Sequence, residues 1–146
     1  MCLVTITASV ERLLAGKYLL GSFACVALLT GCTGSWSFGS DPVEEQWASR
    51  ESLLSCGSLQ LQQGEQLSVD GKEGVACLER AMDSGRGAEL AVRYPTVEGD
   101  PVTDYYRVTP DGSTEVYTDS TLDAFSDQKW SFATCDQPKT VLDVSC

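Results

Sequence analysis

A cysteine at the end of a short apolar run constrains this chain more than any other feature. The uncharged run "YLLGSFACVALL" covers residues 18–29 and follows Arg12 and Lys17, and Cys32 comes soon after it. A membrane-spanning helix needs about 20 apolar residues, so the run is too short to cross a bilayer. A positive start, an apolar stretch of about 7–15 residues and small residues at its end are typical of a secretory signal. The sequence therefore predicts an exported protein.

The end of the run, "LTGC" at residues 29–32, resembles the lipobox of bacterial lipoproteins. The resemblance implies cleavage after Gly31, so that residues 1–31 are a signal peptide, and attachment of a diacylglyceryl group to the Cys32 sulfur. Fatty acyl chains such as palmitate would then anchor the protein, since two chains at about 0.8 kcal/mol per buried methylene hold a protein on a membrane. The expected location is extracytoplasmic, on the outer leaflet of the cell membrane in a one-membrane bacterium. The alternatives are an uncleaved signal anchor and a core helix of an unexported protein.

The cysteine count fits this processing. Seven cysteines are an odd number, but Cys2 and Cys25 leave with the signal and Cys32 carries lipid. The four that remain are Cys56, Cys77, Cys135 and Cys146. Disulfides persist outside the cytoplasm, and four thiols allow three pairings. We expect Cys56–Cys77 with Cys135–Cys146, because neighbours in sequence close loops most easily. A zinc site is less favoured, since the chain has no histidine and no C-x-x-C pair.

Length and charge limit the mature chain further. Residues 32–146 are enough for one domain with one modest core. This part has 8 basic and 20 acidic residues, a net charge of −12, which repels nucleic acid and anionic headgroups. The acidity is typical of a soluble surface, and attraction of a basic partner or of divalent cations is the alternative.

Two helices are predicted before the pattern changes. Residues 32–50 are expected to be the lipidated cysteine and a Gly/Ser-rich tether with a short helix, for which Asp41 is the N-cap and Pro42 the first residue. The main helix is expected between Asp70, as N-cap, and Gly85. Its apolar face contains Cys77, Leu78, Ala81 and Met82.

Beyond the main helix the hydrophobic period changes from 3.6 to 2, which indicates strands. The segments "ELAVRYP", "VTDYYRVT", "TEVYTD" and "KWSFATC" alternate in this way, and "PDGS" predicts a hairpin turn between the second and third. We therefore expect residues 51–146 to form an α+β domain of two layers. One main helix would pack on a four- to five-stranded antiparallel sheet held by two disulfides.

The loop "PTVEGDP" at residues 95–101 is the most distinctive segment of the mature chain. Glu98 and Asp100 flank a glycine between two strands, so they are candidate binding residues, with Arg93 or Arg107 nearby. The competing interpretation is a plain hairpin loop in which Asp100 accepts backbone hydrogen bonds.

Three carboxylates spaced by four, Asp119, Asp123 and Asp127, are weak metal candidates. On a helix they would lie on one side and could gather a cation. The stretch lacks the order of an EF-hand loop, and the simpler interpretation makes Asp119 a local cap and Asp127 part of a loop.

Two tyrosines are the remaining candidates for binding. Tyr105 and Tyr117 fall out of phase with the core positions of their strands, so they could share the sheet face opposite the helix. An exposed aromatic strip docks sugars or peptides, although such residues more often pack across strands.

Catalysis is not expected from this composition. Without histidine there is no Ser-His or Cys-His nucleophile, and no G-x-S-x-G, P-loop or dinucleotide glycine pattern is present. We therefore expect a domain that is not an enzyme and takes no cofactor.

Short motifs of the mature chain resemble uncharacterised lipoproteins of actinobacteria. These motifs are "SCG", "TVEGDP", "YYRV" followed by "DG", "VYTDSTLDAF" and a late cysteine. The "EGDP" turn followed by a hairpin also resembles small exported domains of Bacillus-type bacteria. The sequence thus predicts a monomeric cell-envelope lipoprotein that binds an envelope or extracellular protein. The alternatives are a surface-anchored protease inhibitor, since two disulfides, a Cys-bearing helix and a small sheet resemble the Streptomyces subtilisin inhibitors, and a divalent-cation-binding domain.

Overall fold

The computed structural model describes residues 39–146, so the predicted signal peptide, Cys32 and residues 33–38 of the tether lie outside the described part. The elements in chain order are α1 (Pro42–Ser49), β1 (Leu54–Gln60), α2 (Leu67–Asp70), α3 (Lys72–Asp83), β2 (Ala88–Pro95), β3 (Pro101–Val108), β4 (Thr114–Asp119) and β5 (Trp130–Cys135). None of these helices has the length and apolar character needed to cross a membrane.

The five strands form one mixed sheet in the order β1-β2-β3-β4-β5. Strands β2 to β5 are an antiparallel meander, whereas β1 runs parallel to β2. The α+β class is confirmed, but the sheet is mixed, and the expectation of a wholly antiparallel sheet of four to five strands is wrong at this edge. The reason is the connection over residues 61–87, which carries the chain through α2 and α3 back to its starting end, as a parallel pair requires.

The core lies between α3 and one face of the sheet, which we call the α3 face. Leu78 and Ala81 of α3 pack on Leu90 and Val92 of β2. The helix approaches closely because Gly74 has no side chain: an added Cβ would lie 2.8 Å from a Leu90 methyl carbon. The predicted apolar face of α3 is thereby confirmed.

Local signals were accurate at the β3–β4 turn and less so at the start of α3. The turn at residues 110–113 forms as predicted, with Gly112 at φ 90°, a conformation that favours glycine. Asp70, however, is not the N-cap of the main helix. It ends α2, where its carboxylate accepts from the Gln66 backbone N–H at 2.8 Å, and Gly71 holds the cap position.

Both predicted disulfides are present. Cys56–Cys77 joins β1 to α3, and Cys135–Cys146 joins the C-terminal residue to the end of β5. Val141, which lies between Cys135 and Cys146 in the sequence, is buried in the core. The first bridge fixes the edge strand β1. The second fixes residues 136–146, which belong to no regular element, to the end of β5.

Helix α1 adds a layer that the sequence did not predict, on the opposite face of the sheet, called here the α1 face. It begins as expected at Asp41, whose carboxylate accepts from the Val43 N–H at 2.9 Å. The same carboxylate accepts from the Trp130 N–H of β5 at 2.8 Å. These backbone hydrogen bonds lower the pKa of Asp41 below its ordinary value, and the bond from Trp130 has the largest effect. The cap thus fastens α1 to the sheet.

Candidate functional site

A partly buried carboxylate on the α3 face is the most distinctive polar feature of residues 39–146. Asp104 lies in β3 between Val92 of β2 and Thr118 of β4. Because side chains alternate between the two faces along a strand, Asp104 lies on the same face as Val102 and Tyr106, where apolar residues are expected. A charged group at such a position costs free energy unless it is satisfied by partners.

The partners of Asp104 are hydroxyl groups. Thr118 Oγ1 donates to one carboxylate oxygen at 2.6 Å, and the Tyr106 hydroxyl donates to the other at 3.4 Å. The Tyr94 hydroxyl is a third neighbour. Among residues 39–146 the ion pairs are Arg50–Glu89, Arg107–Glu89, Arg107–Glu115 and Lys129–Asp127. Asp104 therefore has neutral donors but no cationic partner in the described chain.

Burial changes the acidity of all three ionisable groups in this cluster. It raises the pKa of Asp104 above its ordinary value, and the hydrogen bonds from the hydroxyls oppose this only in part. Burial and the neighbouring Asp104 charge raise the pKa of Tyr106 to about 12, and that of Tyr94 also rises for the same reasons. The two phenols thus stay protonated and act as donors. Perturbed acidity inside a cleft is typical of functional sites.

The cluster opens into a cleft of about 310 Å³. Its walls combine Leu61, Leu67 and Val92 with the polar rim residues Gln62 and Glu65. Apolar walls with a few convergent polar groups are typical of small-molecule sites, and this volume is at the lower end of their range. A larger cavity of about 530 Å³ lies between residues 39–43 and 128–130. The Asp41 carboxylate in its wall is already engaged by the Val43 and Trp130 N–H groups, so we favour the Asp104 cleft.

The predicted tyrosine strip is covered. Tyr105 and Tyr117 do share the α1 face as neighbours in β3 and β4, but Trp47 of α1 lies on both, with ring centroids 4.2 and 5.2 Å away. Tyr117 is only 2% exposed. The expectation of an exposed aromatic strip is therefore wrong, because the short helix before the domain packs on it.

Arg107 is likewise a structural residue. It is 6% exposed and pairs with Glu115 at 2.6 Å and with Glu89 at 3.5 Å. It also donates to the Glu51 carbonyl at 2.9 Å. Arg107 and Glu89 are partners at the start of β2, whereas the 96–100 loop leaves the other end of that strand. The predicted closeness of Arg107 to Glu98 and Asp100 is therefore wrong.

The 96–100 loop forms the hairpin between β2 and β3. Glu98 is exposed, and Asp100 accepts from the Ala124 N–H of the β4–β5 loop at 2.9 Å. This backbone hydrogen bond agrees with the loop interpretation of Asp100. Arg93, the other expected neighbour, is exposed in β2 opposite Thr103.

The three spaced aspartates do not form a cation site. Asp119 accepts from Thr121 and Asp123 from the Phe125 N–H, while Asp127 lies 3.8 Å from Lys129. Residues 120–129 are turns and not a helix, so the spacing of four does not bring them together. No group of three metal-binding side chains was found in the described part of the chain.

The sequence reasoning missed Asp104, although a signal was present. In "VTDYYRVT" the aspartate alternates with Val102 and Tyr106, so it occupies an inward position of a strand. Inward carboxylates are rare unless they have a role or a partner.

Comparison with protein-family models, with curated proteins and with solved structures gave no match for this chain.

Proposed function

We propose that this protein is a lipid-anchored protein of a bacterial cell envelope and that its Asp104 cleft binds a small ligand carrying a positively charged group. The observation that carries the proposal is the partly buried Asp104 carboxylate, which has hydroxyl donors but no cationic partner among residues 39–146. A ligand cation would supply the missing charge. The aromatic rings of Tyr94 and Tyr106 favour the same ligand class, because cations bind to ring faces.

Binding without catalysis fits this cleft best. One carboxylate with a raised pKa, two phenols and a threonine hydroxyl offer hydrogen bonds and a charge. The second carboxylate of the cleft, Glu65 on the rim, already accepts from the Gln62 backbone N–H at 2.6 Å. The chain has no histidine, which removes the commonest general base. The cleft would therefore hold its ligand unchanged.

Export is supported by the disulfides. All four cysteines beyond the "LTGC" segment are paired, and such bonds persist in oxidising compartments. The lipobox resemblance then gives the attachment site, Cys32. A wholly oxidised domain behind a lipidated cysteine is the arrangement expected of an envelope lipoprotein.

Calorimetry with a charged and a neutral probe tests the cleft. We expect n-butylammonium to bind and 1-butanol, which has the same carbon chain, to bind more weakly. Asp104→Asn should lower the butylammonium affinity at least about tenfold, because a hydrogen bond to a charged group contributes about 1.5–3 kcal/mol. Asp136→Asn, an exposed carboxylate after β5, is the matched control and should bind as the wild type does. Equal affinity in both variants would contradict the proposed site.

Intact mass tests the anchor. The chain recovered from membranes should begin at Cys32, carry a diacylglyceryl group and gain the mass of four hydrogen atoms when a thiol reductant reduces the two disulfides. A Cys32→Ala variant should accumulate as an uncleaved precursor. Full-length chain in the cytosol, with reactive thiols and no lipid, would contradict export.

A further inference from the structure

Three loops lie together at one end of the sheet. Strands β1, β2 and β4 end there, and strands β3 and β5 begin there, as the paired residues show. The loops are residues 61–66, 96–100 and 120–129, and we call this region the three-loop end. Asp100 accepts from Ala124 at 2.9 Å, and Gln63 donates to the Val97 carbonyl at 3.3 Å. The loops therefore form one continuous surface.

This surface exposes large apolar side chains. Val97 is 82% exposed, Leu122 64% and Phe125 76%. Each lies in a loop and is too exposed to contribute to the packing of the core. The other large exposed apolar residues among residues 39–146 are Val69 in α2 and Leu54, which lies at the opposite end of the sheet. Apolar groups gathered at one site indicate contact with an apolar environment.

The N-terminal chain reaches the domain at the same end. The Asp41 carboxylate accepts from the Trp130 N–H at the first residue of β5, so residues 39–41 lie beside the three-loop end. Cys32 precedes Gly39 by seven residues. A fully extended chain of that length spans at most about 25 Å. An anchor at Cys32 would therefore keep the three-loop end within that distance of the bilayer.

We propose that the three-loop end rests on the bilayer that holds the anchor, with Val97, Leu122 and Phe125 in shallow contact with the lipid headgroup region. The proposal rests on the lipid anchor of the proposed function and adds the orientation of the domain. Aromatic and aliphatic side chains favour this interfacial position.

Charge determines which lipid surface fits. The three loops contain Glu65, Glu98, Asp100, Asp123 and Asp127 but only one basic residue, Lys129. Anionic headgroups repel such a surface within about one Debye length, roughly 8 Å at physiological salt. The preferred surface is accordingly zwitterionic, and contact with an anionic one should require added salt.

Tryptophan quenching by brominated phosphatidylcholine tests the orientation. The full chain purified from membranes is reconstituted as wild type, as Phe125→Trp and as Leu54→Trp, the last being a matched exposed residue at the opposite end. We expect Phe125→Trp to lose fluorescence beyond the wild-type background and Leu54→Trp to show no added loss. Val97→Trp is a second reporter should Phe125→Trp not fold. Replacing a third of the lipid by phosphatidylglycerol at low salt should weaken the added quenching.

The outcomes separate this proposal from the anchor. If the intact mass shows the lipid but quenching does not increase, the orientation is overturned and the anchor stands. A protein partner would then cover the three-loop end. Added quenching without lipid would support the three-loop end as a membrane contact and overturn the anchor. Absence of both would overturn both, and equal quenching of the two reporters would also overturn the orientation.

Discussion

Removing the Trp47 ring should release α1 from the sheet. Helix α1 has no buried residue, so its attachment depends on a few contacts. Trp47 lies 4.2 Å from Tyr105, 5.2 Å from Tyr117 and 6.1 Å from Trp130, as measured between ring centroids. Each aromatic pair contributes about 0.5–1.5 kcal/mol beyond area burial. The Arg50 guanidinium over the same ring, 3.0 Å from its centroid, adds about 0.5–1 kcal/mol.

These contacts predict that Trp47→Ala lowers the free energy of unfolding by about 3 kcal/mol, at the lower end of the range for losing a large aromatic side chain, because Trp47 is only half-buried. With a urea slope of about 2 kcal/mol/M, the midpoint should fall by about 1.5 M. Trp47→Phe keeps a ring and should lose about half as much. Glu44→Ala, exposed on the same helix, is the control and should shift the midpoint little.

The reasoning would be refuted by a loss below about 1 kcal/mol for Trp47→Ala, since the contact energies cited above could not then hold α1 to the sheet. Near-ultraviolet circular dichroism of the same variants adds a direct readout. The band that includes stacked Trp130 and Tyr105, whose rings are 5.8 Å apart, should change in Trp47→Ala and remain unchanged in Glu44→Ala.

Three further predictions follow from other parts of the domain. Burial raises the pKa of Asp104, so the folded state binds more protons than the unfolded state and its stability falls as the pH rises from 3.8 through the raised value. The urea midpoint of Asp104→Asn relative to the wild type should therefore increase between about pH 3 and about pH 7, and a constant difference would contradict the burial of this charge. Replacing Cys56 and Cys77 together by alanine opens a loop with a sequence separation of 21 and should cost about 3.3 kcal/mol by the chain-entropy relation, measured as the shift in urea midpoint. Gly112→Ala places a side chain at φ 90° and should cost about 1–2 kcal/mol, measured by thermal unfolding.

The local parts of the fold could be predicted from the sequence. Asp41 and Pro42 mark the start of α1, alternation marks the strands, and Pro-Asp-Gly-Ser marks the β3–β4 turn, because each signal depends on neighbouring residues only. Loop closure also favours short disulfides, and both predicted pairs form.

The arrangement of the elements in space was harder to predict from the sequence. The direction of β1 depends on where a connection of more than twenty residues returns the chain, and the docking of Trp47 depends on residues about 60 and 70 positions later in the sequence. Neither leaves a periodic pattern. Two of the candidate binding residues are buried for the same reason: Arg107 and Tyr117 have the residue types of a binding surface, but tertiary contacts with Glu51 and Trp47 bury them.

The cleft and the proposed membrane contact share one segment of the chain. Gln62, Gly64 and Glu65 form part of the cleft rim, and the same 61–66 loop belongs to the three-loop end. Neither disulfide ties this loop, since Cys56 lies near the start of β1 and Cys135 at the far end of β5. Residues 62–66 of this loop are exposed, so a ligand in the cleft and a surface at the three-loop end can both contact them. Because coupling between two binding events is reciprocal, a ligand that orders residues 61–66 in the cleft must change bilayer affinity by the same factor by which the bilayer changes ligand affinity.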